Sequence, residues 1–209
     1  MTNSRDGRVL LIASVLFLFL YLITPVAAAG AQECLPPLTA LMPKNAVKVT
    51  CQYNSSGFVG LGFAAGDLPF EHPCSNQTTK FPGRITFDIK HYSGDGVAIF
   101  KMQIGQEEQQ RIMNKKSEFE KKLKKSSGSG VPVVKTESAA GGTLIYTEQF
   151  IDCSEGFKRS KPLVNLLAVA HTDSSAINIE VSGFISAAAA RAAAMEVITN
   201  FRKTNFETL

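Results

Sequence analysis

No compact catalytic signature occurs in this chain. G-x-S-x-G, S-x-x-K and H-E-x-x-H are all missing, which removes the usual sequence marks of serine and zinc hydrolysis. Histidine is scarce, with only His72, His91 and His171 to serve as ligands or general bases. Cysteine is limited to Cys34, Cys51, Cys74 and Cys153, and no two of these sit at the short spacing of a zinc knuckle. A strong charge of one sign is also missing. The whole chain carries +4, and setting aside Arg5, Arg8 and Asp6 in the first 31 residues lowers this to +3. Such a mild excess does not mark a nucleic-acid binder.

One long apolar run is present, and it lies at the start. Met1 to Arg8 is polar and basic, Val9 to Thr24 is almost wholly apolar, Pro25 breaks the run, and Ala27-Ala28-Ala29-Gly30-Ala31 follows. This is the order of charged region, apolar region and small-residue cleavage site that export requires. Residues 1–31 are therefore read as a signal peptide, with cleavage before Gln32. The alternative is an uncleaved N-terminal membrane anchor, because Val9 to Ala29 is long enough to span a bilayer. Either way, residues 32–209 are expected outside the cytoplasm, periplasmic or secreted in the first case and membrane-anchored in the second. Glu33 occupies the place where lipidation at Cys34 would need a small residue.

Residues 32–209 suffice for one ordinary core, and a hydrophobic content of 44% describes a globular chain. An even number of cysteines in an oxidising compartment reads first as two disulfides. Three pairings are open; the expected one joins Cys34 to Cys51 and Cys74 to Cys153.

Hydrophobic periodicity predicts the elements. Residues 32–46, with three prolines, read as an irregular lead-in. Val47–Tyr53 and Phe58–Ala64 flank a turn at Asn54–Gly57, and residues 65–83 read as a loop. Arg84–Tyr92 alternates, with Ile85, Phe87 and Ile89 on one face. Ser93–Gly96 then reads as a hairpin turn and Val97–Ile104 as the returning strand. A helix is expected over about 106–125, with Ile112, Phe119 and Leu123 in one stripe. Its pairs Glu107–Arg111, Glu118–Lys122 and Glu120–Lys124 are favourably oriented. Strands follow at Val131–Thr136, Thr143–Phe150, Leu163–Ala170 and Ala176–Phe184. A last helix over 187–203 is N-capped by Ser186. The fold class is thus α+β: a mainly antiparallel sheet of hairpins and a four-strand meander, packed by two helices. This element order resembles, as architecture alone, the sandwich of exported PsbP/Mog1-like proteins; no motif of this sequence carries the likeness.

Each candidate for chemistry has a plainer reading beside it. Gly60-Leu61-Gly62-Phe63-Ala64-Ala65 fits G-x-G-x-x-A, but Pro69 and Pro73 forbid the helix that a dinucleotide site needs, so a glycine-bearing strand is preferred. His72 and Cys74 are candidate metal ligands, with Glu71 nearby, if Cys74 is unpaired. His91 is placed on the outward face of its strand and His171 at a turn. Lys121, Lys122, Lys124 and Lys125, with Lys158, Arg159 and Lys161, could form a basic face for an anionic surface; the plainer account is a solvated helix end. Asn54 and Asn76 begin glycosylation sequons that matter only in a eukaryotic host. No catalytic residue and no cofactor is assigned. The expected function is a binding or interaction module of the cell envelope or extracellular space, with a partner there and no nucleic acid. A hydrolase with a fold-assembled site is the alternative, and an anionic-surface binder the third reading.

Overall fold

Alternation builds the sheet. In Gly83–Tyr92, residues Ile85, Phe87 and Ile89 are each at most 2% exposed while Arg84 and Asp88 face solvent, the period-2 pattern of a strand with one buried face. The computed structural model describes residues 34–71, 83–125, 134–150, 162–183 and 185–206. The expected signal segment, His72, Cys74, the Asn76 sequon, Cys153 and the 158–161 basic cluster lie outside them.

Seven strands form one fully antiparallel sheet: β1 (Val47–Ser56), β2 (Val59–Leu68), β3 (Gly83–Tyr92), β4 (Lys135–Ala139), β5 (Gly142–Phe150), β6 (Pro162–His171) and β7 (Ser175–Gly183). Their spatial order is β1-β2-β3-β7-β6-β5-β4. The two halves join where β3 meets β7, with Phe87 opposite Ile179. Three helices accompany the sheet: α1 (Pro36–Leu41), α2 (Gly96–Lys125) and α3 (Ala187–Lys203). The architecture is α+β, as the periodicity predicts.

α1 and α3 cover one face. There Ile85, Phe87, Ile89, Leu166, Ile177 and Ile179 meet the stripe Ala190, Ala194, Ile198 and Phe201 of α3, all nearly inaccessible. The alanines let α3 approach the strands closely. Ser186 caps it by accepting a hydrogen bond from the Ala189 amide at 3.1 Å. Next to α3, α1 buries Leu38 and Leu41.

α2 covers part of the opposite face, and its attachment is largely polar. Its apolar contact is a small cluster of Phe119 with Ile145, Leu167 and Val169, together with Phe100 stacked on Tyr92 at 4.5 Å. The ion pairs Lys101–Asp173 at 3.2 Å and Lys115–Glu180 at 3.3 Å hold the rest, with His171 Nε2 3.3 Å from the Glu108 carboxylate. Of the expected intrahelical pairs, Glu118–Lys122 closes at 2.6 Å. Beyond α2, Leu61 and Phe63 of β2 remain 44% and 43% exposed.

Four expectations need correction. Val97–Ile104 is not a strand: α2 begins at Gly96 and runs without a break to Lys125. Ala98, Phe100, Met102 and Ile104 alternate like a strand, but Val97, Phe100 and Ile104 also continue at helical spacing into Glu108, Ile112, Lys115 and Phe119. That longer period marks the side that packs down. Residues 32–46 are not wholly irregular, because Pro36 and Pro37 occupy the first turn of α1, where a missing N–H costs nothing. The first hairpin turns later than Asn54, at Gly57-Phe58, since Ser56 pairs with Val59. Gly57 supplies the positive φ of 61° that this two-residue turn requires. Finally, the expected 65–83 loop starts later, since β2 continues to Leu68; of the strand expected at 131–136, residues 131–133 lie outside the described residues, and β4 spans Lys135–Ala139.

Candidate functional site

Three turns converge at one end of the sheet: β1–β2 at Gly57-Phe58, β3–α2 at Ser93-Gly94, and β6–β7 at Thr172–Ser174. Backbone hydrogen bonds tie them together, from the Tyr92 amide to Ser174 O and from the Ser93 amide to Phe58 O, both 2.8 Å. On the α1/α3 side of this end lies an open cleft of about 470 Å³, lined by Tyr53, Ser55, His91, Tyr92, Ser93 and Ser174 among others. Its volume falls within the range of small-molecule sites, roughly 300–1,000 Å³.

His91 lies in the cleft wall, and the outward placement expected for it is wrong. It has the same parity as Ile85, Phe87 and Ile89, so alternation points it to the covered face, where it is 7% exposed. Its cross-strand partner is Ser175, and Nδ1 shares a 2.9 Å hydrogen bond with Ser175 Oγ. The imidazole also packs near Phe206, ring centroids 5.9 Å apart. Phe206 rests in turn on Phe201 of α3 at 5.7 Å. The wall is therefore continuous with the core, and its shape is fixed by packing.

Tyr53 forms the opposite side, and the Gly60/Gly62 motif explains its position. Cross-strand from Gly62, the ring runs along β2 across both glycines. A Cβ at Gly60 would lie 3.1 Å from Tyr53 Cζ, and one at Gly62 would lie 3.5 Å from Cδ2. A side chain at Gly60 would lift the phenol off the strand, whereas one at Gly62 would first meet Leu38 Cδ2 at 2.8 Å. The glycines belong to a strand, as the plainer reading of that motif holds, and they seat an aromatic ring.

The cleft's chemistry is polar, aromatic and nearly uncharged. Its only lining carboxylate, Asp173, is 92% exposed at the rim and pairs with Lys101. Among the described residues, no lysine or arginine lines it. Burial, with the Glu107 carboxylate second, raises the Tyr92 phenol above its ordinary value, and Arg111 partly opposes this; the phenol is neutral at physiological pH. A His–Ser pair invites comparison with a hydrolytic centre, but Ser175 is 1% exposed, which leaves its hydroxyl no route to a substrate.

The other candidates are dispersed. His171 is at the end of β6, as its turn assignment implies, and its Nε2 faces Glu108 on α2 rather than a cleft. Glu71 is exposed. Among the described residues, no group of three or more histidines, cysteines and carboxylates is placed to hold a metal ion. Lys121 and Lys124 are exposed at the end of α2, and Lys122 is engaged by Glu118. Cys34 and Cys51 are joined by a disulfide that ties the segment leading into α1 to β1. No helix among the described residues is long and apolar enough to cross a membrane.

Fold and site together define a helix-flanked antiparallel sheet with an open cleft at one end. Comparison of the chain with protein-family models, with curated proteins and with solved structures gives no match.

Proposed function

We propose that this chain is an exported, non-enzymatic binding module, and that the cleft at the end of the sheet is its ligand site. The observation that carries the reading is the cleft itself. It is a preformed space with convergent hydroxyl and aromatic groups, walled by a histidine whose polar atom is already engaged by Ser175. Export is supported by the basic, apolar and small-residue order of the first 31 residues, and the Cys34–Cys51 bridge suits an oxidising compartment. Localisation is therefore periplasmic or extracellular, with a membrane-anchored form if the leader is retained. The partner belongs to that compartment.

The test is a thermal-shift screen of soluble small molecules against the native protein. Each hit is repeated on Ser55→Trp, which fills the cleft from an exposed position on β1. At a ligand concentration of about 100 Kd, binding stabilises by about 2.7 kcal/mol, which raises Tm by roughly 5–10 °C in a domain of this size. Hits that vanish in Ser55→Trp support the reading; hits that persist there place the binding elsewhere.

An extracytoplasmic hydrolase is the competing reading, and the burial of the Ser175 hydroxyl counts against it. Turnover of small ester or amide substrates by native protein, lost in Ser175→Ala, would replace the binding reading with this one.

A further inference from the structure

The cleft's lining narrows the class of ligand, on the basis that the cleft is the binding site. An anionic ligand would need cationic donors, and among the described residues none lines the cleft. A cationic ligand would need either an available carboxylate or a cage of aromatic faces. Asp173 is solvated and paired with Lys101. The aromatic faces do not form a cage either: Tyr92 has one face stacked on Phe100, and Phe206 is 4% exposed, held between Phe201 and His91. A purely apolar ligand would waste the hydroxyls of Tyr53, Ser55, Ser93 and Ser174 on the lining. One half-buried ring therefore remains as a platform, that of Tyr53. It is supported along its length by Gly60 and Gly62 and fringed by groups that both donate and accept hydrogen bonds.

We infer that the cleft binds a neutral saccharide unit, free or as part of a glycan. The C–H face of the sugar ring lies on Tyr53, and its hydroxyls exchange hydrogen bonds with the serine hydroxyls around the rim. A sugar ring has one apolar face and an edge of hydroxyls, the two features that this lining complements. Tyr53 is the specificity residue, and Gly60 positions it without touching the ligand.

Binding is followed by isothermal titration calorimetry, whose signal is independent of the tyrosine and tryptophan content of each variant. The full chain is titrated with the neutral trisaccharides of glucose and of N-acetylglucosamine. Trigalacturonate, choline and a short alkyl glycol serve as anionic, cationic and apolar probes. At least one neutral trisaccharide should saturate the signal in the micromolar to millimolar range. Tyr53→Ala should weaken it about tenfold or more, and Tyr53→Phe no more than about threefold. Gly60→Ala, folded by circular dichroism, should match Tyr53→Ala because the added methyl displaces the phenol. Retention on cellulose or chitin that the trisaccharide competes away supports a shared ring-binding site; retention that it does not compete assigns the longer polymer as the ligand. If trigalacturonate, choline or the glycol saturates instead, and Ser55→Trp abolishes that signal, the saccharide inference is overturned while the cleft survives as a site. If a trisaccharide binds equally well to native protein, Tyr53→Ala and Ser55→Trp, this assignment of the site fails. If no probe binds and the small-molecule screen is also silent, both the inference and the cleft reading fail.

Discussion

Removing the Cys34–Cys51 bridge should cost about 3 kcal/mol, nearly all of it through the unfolded state. The two cysteines are 17 residues apart in sequence, and the loop-closure relation for that length gives about 10 cal/mol/K, or about 3 kcal/mol at 25 °C. Cys34→Ala/Cys51→Ala, with Cys74 and Cys153 left in place, is the perturbation. In urea, with a slope of about 2 kcal/mol/M, the midpoint should fall by about 1.5 M, and the slope should stay equal or rise slightly because the chain without the bridge unfolds further. Tm should fall by roughly 6–12 °C for a domain of this size. A local effect should accompany the global one. Cys34 lies two residues before α1, whose Leu38 and Leu41 are at most 1% exposed, and the first amides of that helix donate to Leu35 O. Hydrogen exchange at Leu38 and Thr39 should accelerate more than at Ile179 in the sheet centre. A midpoint within about 0.3 M of native would refute the reasoning. It would mean that the loop is already closed by other contacts in the unfolded chain.

Three further outcomes follow from named contacts. Ser186→Ala removes the acceptor for the Ala189 amide and should cost about 1 kcal/mol in urea unfolding; a loss below about 0.3 kcal/mol would mean that solvent replaces the cap. The folded state favours the neutral Tyr92 phenol, so its contribution is complete below the ordinary value of 10.0 and is lost as pH rises through the higher folded value. Tyr92→Phe should remove the latest step of the phenolate absorbance titration, and an unchanged curve would contradict this. The hydrogen bond from Lys122, joined by Lys115 and opposed by partial burial, holds the Glu118 carboxyl below its ordinary value. Its contribution to α2 is therefore present above the ordinary carboxylate range and lost as pH falls through the depressed value. Lys122→Met should raise the Glu118 titration midpoint seen by NMR; no movement would assign the depression to Lys115.

Local patterns were legible where one period acted alone. Ile85, Phe87 and Ile89 define β3, and Ser186 with the alanine stripe defines α3 to within a residue at each end. At Val97–Ile104 two periods coincide, and eight residues cannot separate a strand from a helix. Only the continuation to Phe119 does so, because packing on the sheet follows the longer repeat. Pairing of β3 with β7 brings together residues about ninety positions apart, such as Phe87 and Ile179, and no local pattern announces it. The site was hidden for the same reason: Tyr53, His91, Ser174 and Phe206 come from four separate segments. Two signals did point to it. The parity of His91 with Ile89 places the imidazole on the covered face, and Gly60 with Gly62 on one face of β2 leaves room for a ring from the neighbouring strand.

The most direct test of the cleft as the ligand site is shift mapping of the isotopically labelled full chain by NMR, titrated with the neutral trisaccharide that binds most tightly. The account predicts shifts confined to Tyr53–Gly60, His91–Val97, Asp173–Ser175 and Phe206, with the Tyr53 ring among the largest. Shifts centred on the exposed side of α2, at Met102 and Met113, or on Leu61 and Phe63 of the open sheet face, would contradict it.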